Sequence, residues 1–152
     1  DLDGNTLVLF NYVEKHGTPL YELINNNVES SRKVFFVHGG TDVEDREEVR
    51  NLTETESNAI IVASYGTFST GINIKRLHNI VFASPSKSRI RNLQSIGRVL
   101  RKGEGKDIAT LYDIADDIGG QNYTLKHLNE RVNIYNNENF KYEVIRVNLR
   151  AN

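Results

Sequence analysis

With 152 residues, 38% of them hydrophobic, the chain can build one domain with a real core, and 19 basic against 20 acidic side chains leave a net charge of −1. No global field therefore draws it to nucleic acid or a membrane, and any polyanion binding must be local. The sequence has no cysteine, which excludes disulfides, thiolate metal sites and cysteine nucleophiles.

His16, His38, His78 and His127 are scattered without ligand-like spacing, so no metal bound by this chain alone is expected. There is no apolar run long enough to span a bilayer, no signal peptide and no initiator methionine. The expectation is an excised piece of a longer intracellular protein.

Asn5 to Asn11, N-T-L-V-L-F-N, has the unbroken apolar character of a strand buried on both faces and reads as the first core strand. Glu14 to Asn27 places Leu20, Leu23 and Ile24 at helical spacing. Thr18-Pro19 reads as a cap and first-turn pair, and the run Asn25-Asn26-Asn27 ends the helix. Lys33 to Val37 is a second buried-type strand leading into His38-Gly39-Gly40. Glycines there permit close backbone approach, and an amide-lined turn before a helix is a natural phosphate seat. Taken alone, the same triplet is more often an ordinary strand-to-helix turn. Thr41 to Asp45, T-D-V-E-D, superficially matches the metal-holding acidic motif of an ATPase. The capping-box spacing of Thr41 and Glu44, and acidic residues where a helix dipole favours them, make it a helix start. That helix runs to about Glu56 with Val43, Val49 and Leu52 as its apolar side.

Ala59 to Ser64 and His78 to Ala83 are further buried-type strands joined by a Gly/Ser/Thr loop, and Ser84-Pro85-Ser86 breaks the chain before another helix. On that helix Gln94, Arg98 and Arg101 fall in one stripe at roughly 100° per residue. Lys87 and Arg91 extend the stripe, while Ile90, Leu93 and Leu100 can anchor the opposite side. Paired guanidinium forks beside an amide suit phosphate oxygens; a solvated basic face fits the same pattern. Gly103-Glu104-Gly105-Lys106 cannot be a Walker A loop, because Asp107 replaces the required Ser or Thr and Leu100 replaces the opening glycine. Ile108 to Ile114 reads as the last core strand. Gly119-Gly120 marks a boundary between residues 1–118 and an extension, 119–152. In the extension Leu125, Leu128, Val132 and Tyr135 form an amphipathic helix with Lys126, Glu130 and Arg131 on other faces. Phe140, Tyr142 and Val144, then Ile145, Val147 and Leu149, alternate as a final strand with a bulge or bend. Packing onto the main domain or onto a missing one is preferred to a separate DNA-binding role for this tail.

Strands alternating with helices imply a parallel α/β sheet with helices on both faces and ligands gathered beyond the carboxyl ends of its strands. The order strand, S-T-G-I-N loop, strand, Q-x-x-G-R-x-x-R helix resembles motifs V and VI of superfamily-two helicases. V-A-S-Y-G-T-F-S-T-G-I and G-R-V-L-R-K bring it nearest the phage recombination and replication-repair helicases of that group. The resemblance spans roughly residues 5 to 117 and implies the second, RecA-like domain of a two-domain motor, with the P-loop NTPase type of sheet and a small helix-strand extension.

That resemblance implies roles for particular residues. Arg98 and Arg101 would be arginine fingers for the γ-phosphate of ATP, which with Mg is held mainly by an absent first RecA-like domain. Gln94 would orient the nucleotide or the attacking water. Gly71 and Asn73 would lie on the nucleotide side, although Asn73 stands where aspartate is frequent and adds no negative charge. His38, Gly39, Ser64 and Thr70 would touch the nucleic-acid backbone. Ser95 stands where many relatives are basic and is assigned no contact.

Implied partners are the N-terminal RecA-like domain of the same protein and branched or single-stranded DNA, or an RNA-DNA hybrid, in a host cytoplasm and with no membrane. The implied work is junction branch migration, fork regression and D-loop or R-loop unwinding. The second domain of a restriction-type translocase would carry similar motifs. A non-catalytic nucleic-acid or protein-binding module on the same scaffold is the reading from a different class. With neither a Walker A loop nor a D-E-x-D or D-E-x-H strand end, the sequence is not a complete ATPase.

Overall fold

The apolar runs of the sequence lie side by side as parallel strands. The computed structural model describes residues 2–69, 77–83, 109–117, 119 and 123–149. Its strands are β1 (Thr6–Phe10), β2 (Val34–Val37), β3 (Ile60–Ser64), β4 (Asn79–Phe82) and β5 (Thr110–Asp113). They form a five-stranded sheet in the order β2-β3-β1-β4-β5, with every pairing parallel. A π-helical turn (Val13–Gly17) and α1 (Thr18–Asn27) follow β1; α2 (Val43–Thr55) follows β2; α3 (Tyr65–Ser69) continues directly from β3. After β5 comes α4 (Tyr123–Asn137).

Alternation along the strands sorts their side chains into two layers. Leu7, Leu9, Ile61, Ala63, Ile80 and Phe82 face one side, where Val49 of α2 and Val132, Ile134 and Tyr135 of α4 pack on them. Val8, Phe10, Ile60 and Val62 face the other, covered by Leu20, Tyr21 and Ile24 of α1. Coverage on both sides is why β1 and β3 read as unbroken apolar runs and are buried at every position. The expected parallel sheet with helices on both faces is the fold that forms.

The amino edge of the sheet is sewn together by side chains. Asn5, fully buried, donates through Nδ2 to Glu56 O (2.7 Å) and accepts the Ala59 amide on Oδ1 (2.8 Å). Asn5 N–H donates to His78 Nδ1 at 3.0 Å, and Asn79 Nδ2 donates to Asp3 O at 2.8 Å. Arg32 reaches Asn58 O and Gly4 O. Gly4 has φ +91, and a Cβ there would lie 2.7 Å from the His78 ring, so both the backbone conformation and the close approach require glycine.

Several local expectations are corrected. Thr18 does not cap α1: its hydroxyl donates back to Val13 O, and Gly17 holds the cap position without a side-chain bond. The chain enters α1 through the π turn, in which Tyr12 O accepts both the His16 (2.9 Å) and Gly17 (3.0 Å) amides. Gly17 is seated on Phe10, whose Cε2 would be 2.4 Å from an added Cβ. On α1, Tyr21 joins the core while Leu23 stays exposed. On α2, Val43 is exposed as well. Thr41 Oγ1 accepts the His38 amide at 3.0 Å, so this hydroxyl closes the preceding turn.

β5 is an edge strand with alternating exposure, because among the described residues it has a neighbour only in β4. The final strand expected over 140–149 does not form: no residue of 140–149 joins the sheet. Asn139, at φ 57, ends α4 with a Schellman pattern in which the Phe140 amide donates to Tyr135 O (2.9 Å) and the Asn139 amide to Asn136 O (3.2 Å). Phe140 then packs on the core, while Val144, Ile145, Val147 and Leu149 are exposed. Alternation of apolar residues alone makes no strand without a neighbouring ladder to bond.

Candidate nucleic-acid interface

Parallel pairing brings the carboxyl ends of the strands to one rim, which is where ligands collect in sheets of this kind. Val37, Ala63 and Leu9 are in register on β2, β3 and β1, so the loops that leave these strands are neighbours. Two of the predicted contact regions, His38-Gly39 after β2 and Ser64 at the end of β3, therefore sit next to each other.

The His38-Gly39-Gly40 turn bonds to itself. Besides the His38 amide donating to Thr41 Oγ1, Gly40 N–H donates to His38 Nδ1 at 3.0 Å and Thr41 N–H to His38 O at 2.9 Å. These amides are turned inward, so the turn offers a ligand the exposed Gly39 backbone instead of a ring of N–H groups. An added Cβ on Gly39 would meet nothing within 4 Å. An Nδ1 that accepts leaves the proton of a neutral imidazole on Nε2. The His38 ring leans on Phe36 (centroids 5.0 Å apart), which stacks on Tyr21 (5.2 Å, 18° between planes).

Ser64 is buried, and its hydroxyl works locally. Oγ lies 2.7 Å from Thr67 Oγ1 and accepts the Thr67 amide at 3.3 Å, the geometry of an N-cap on α3. It therefore fixes the path by which the chain leaves β3 into α3. Thr70, Gly71, Asn73, Gln94, Arg98 and Arg101 lie outside the described residues.

The sequence reading missed a buried polar cluster at the end of β5. Arg131 is only 2% exposed. Its Nε donates to Asp113 Oδ2 at 2.7 Å and its Nη2 to Oδ1 at 2.8 Å, while Tyr135 Oη donates to Oδ2 at 2.6 Å. Arg131 Nη1 is buried with no hydrogen-bond partner. Burial, and then the negative charge of Asp113, push the Tyr135 phenol far above its usual range, so it stays a protonated donor. Arg131 and Tyr135 are four residues apart on one helix face, a spacing legible in the sequence. Its partner Asp113 gave no local signal.

Among the described residues there is no group of three or more His, Asp or Glu side chains placed to hold a metal ion. Among them, too, no helix is long and apolar enough to cross a membrane.

Comparison with known proteins defines the class. Residues 1–103 match the helicase conserved C-terminal domain, and the chain belongs to that family. It is 42% identical over 160 residues to the ATP-dependent DNA helicase uvsW of Enterobacteria phage T4, covering 97% of this chain and 31% of that protein. The chain thus spans about a third of that relative's length. The crystal structure of T4 UvsW superposes with a TM-score of 0.71 over 91% of this chain and 30% of that one, at 42% identity. The C-terminal domain of S. cerevisiae Dbp5 shares the fold, with a TM-score of 0.60, 15% identity and coverage of 90% and 72%. The sheet is thereby a RecA-like helicase C-terminal sheet.

Proposed function

We propose that this chain is the second motor domain of an ATP-dependent DNA helicase that remodels branched DNA by branch migration, fork regression and unwinding of D-loops and R-loops. The observation that carries this reading is the 42% identity to a DNA helicase over nearly the whole chain. The sheet supports it by bringing the His38-Gly39 and Ser64 loops to one rim. Residues 1–118 would be the RecA-like unit and 119–152 an extension on it.

In this reading Arg98 and Arg101 reach across a cleft to the γ-phosphate of ATP bound on an N-terminal RecA-like domain, and Gln94 orients the nucleotide or the attacking water. Gly71 and Asn73 line the same side. The guanidinium groups offset the charge that spreads over phosphoryl oxygens in the transition state. His38, Gly39, Ser64 and Thr70 touch the DNA backbone, whose phosphates supply affinity without reading sequence. Closure of two domains on ATP and reopening after hydrolysis alternate their grip on the strand. The setting is the inside of a host cell.

The test is Arg101→Ala in the full-length protein. DNA-stimulated ATPase should fall by about 10³ or more with the circular dichroism spectrum unchanged. Near-normal turnover would overturn the assignment.

A further inference from the structure

The carboxyl rim carries an exposed aromatic side chain in the loop that leaves β1, where no contact has been assigned above. Tyr12 lies just past the end of β1, the strand between β3 and β4, and is 64% exposed although Phe10, two residues earlier, is fully buried. A single exposed ring is ordinary on a protein surface. What distinguishes this one is that its backbone is tied down and a second ring lies beside it. Its carbonyl accepts two amides of the π turn, the turn is seated on Phe10 through Gly17, and the His16 ring flanks it with centroids 5.3 Å apart. A backbone fixed in advance, with a second ring beside the first, leaves less conformational freedom to lose when a ligand stacks there. π turns of this kind recur at functional sites.

The neighbouring rim is aromatic as well. His38 rests on Phe36, and Phe36 touches Phe10 at 5.8 Å, so the two loops share one aromatic foundation. A flat exposed ring beside backbone-contacting loops suits the face of a nucleobase, which any base presents whatever the sequence.

We propose that Tyr12, flanked by His16, stacks on one base of a single-stranded segment whose backbone crosses the His38-Gly39 and Ser64 loops. This rests on the motor reading above and adds to it a contact with a base. Full-length protein is titrated with a single-stranded oligonucleotide carrying 2-aminopurine, and with a series of strands that each lack one base. Tyr12→Ala should bind the intact strand about tenfold more weakly, while Tyr12→Phe should stay within about twofold of wild type. At one abasic position wild type should lose that same factor and Tyr12→Ala nothing further. The thermal midpoint of Tyr12→Ala should match wild type.

Equal binding of every strand by Tyr12→Ala and wild type would overturn the proposal. So would a uniform weakening on all strands, which marks a backbone or folding effect. A wild-type protein that binds no single strand would sink the proposal. In that case the Arg101→Ala measurement, which reads turnover, shows separately whether the motor reading survives.

Discussion

The two ends of the same strands are built in opposite ways. At the amino edge, side chains tie together segments far apart in the chain: Gly4 to Asn58 across 54 positions, Asn5 to His78 across 73 and Asp3 to Asn79 across 76. At the carboxyl edge, the bonds of His38, Gly40 and Ser64 reach only two or three positions along the chain. One edge is a seam and the other a row of self-supporting loops. A loop that stabilises itself can shift to meet a ligand without unpicking its neighbours, which is the arrangement a ligand-binding rim needs. At β5 the carboxyl edge is different, because Asp113 is locked to α4 by Arg131 and Tyr135.

That contrast can be tested by substitution, beginning where the loss should be greatest. Arg131→Ala strands the Asp113 carboxylate in a nearly dry site and should cost about 3–5 kcal/mol in urea denaturation. Replacing Arg131 and Asp113 together with apolar side chains of similar size should recover most of it. If Arg131→Ala is neutral, the β5 lock is not a real exception. Asn5→Ala leaves the Ala59 amide and the Glu56 carbonyl without their partner and should cost about 2–4 kcal/mol. A loss below about 1 kcal/mol would show that the amino seam holds little. Gly39→Ala adds a methyl group where there is open space, so the thermal midpoint should move by an amount worth less than about 0.5 kcal/mol. A large loss there would mean that the carboxyl loops are not self-supporting.

How much could be read from the sequence follows from the range of the forces involved. The central strands were legible because burial on both faces forces unbroken apolar runs such as Leu7 to Phe10 and Ile60 to Ala63. The rim location of His38, Gly39 and Ser64 followed from parallel topology. Tyr135 was correctly placed on the apolar face of its helix. Arg131 was not, since a charged residue is assigned to solvent unless its partner is seen, and Asp113 is 18 positions away on another element. The π turn escaped notice because one additional residue per turn leaves no mark on composition. The sequence between Phe140 and Leu149 alternates as a strand would, yet pairing is a property of what lies alongside, and that cannot be read from the segment itself.

The strand order has a consequence for how such a domain is made. β1 leaves the ribosome before the other strands but lies between β3 and β4, so its greasy residues stay without one flank until Phe82 has been synthesised. Strand pairs this distant in the chain close slowly. A nascent domain of this design therefore passes through a sticky interval, when chaperone capture competes with clumping. Charged substitutions in β1 should be punished during biosynthesis before any activity could be assayed.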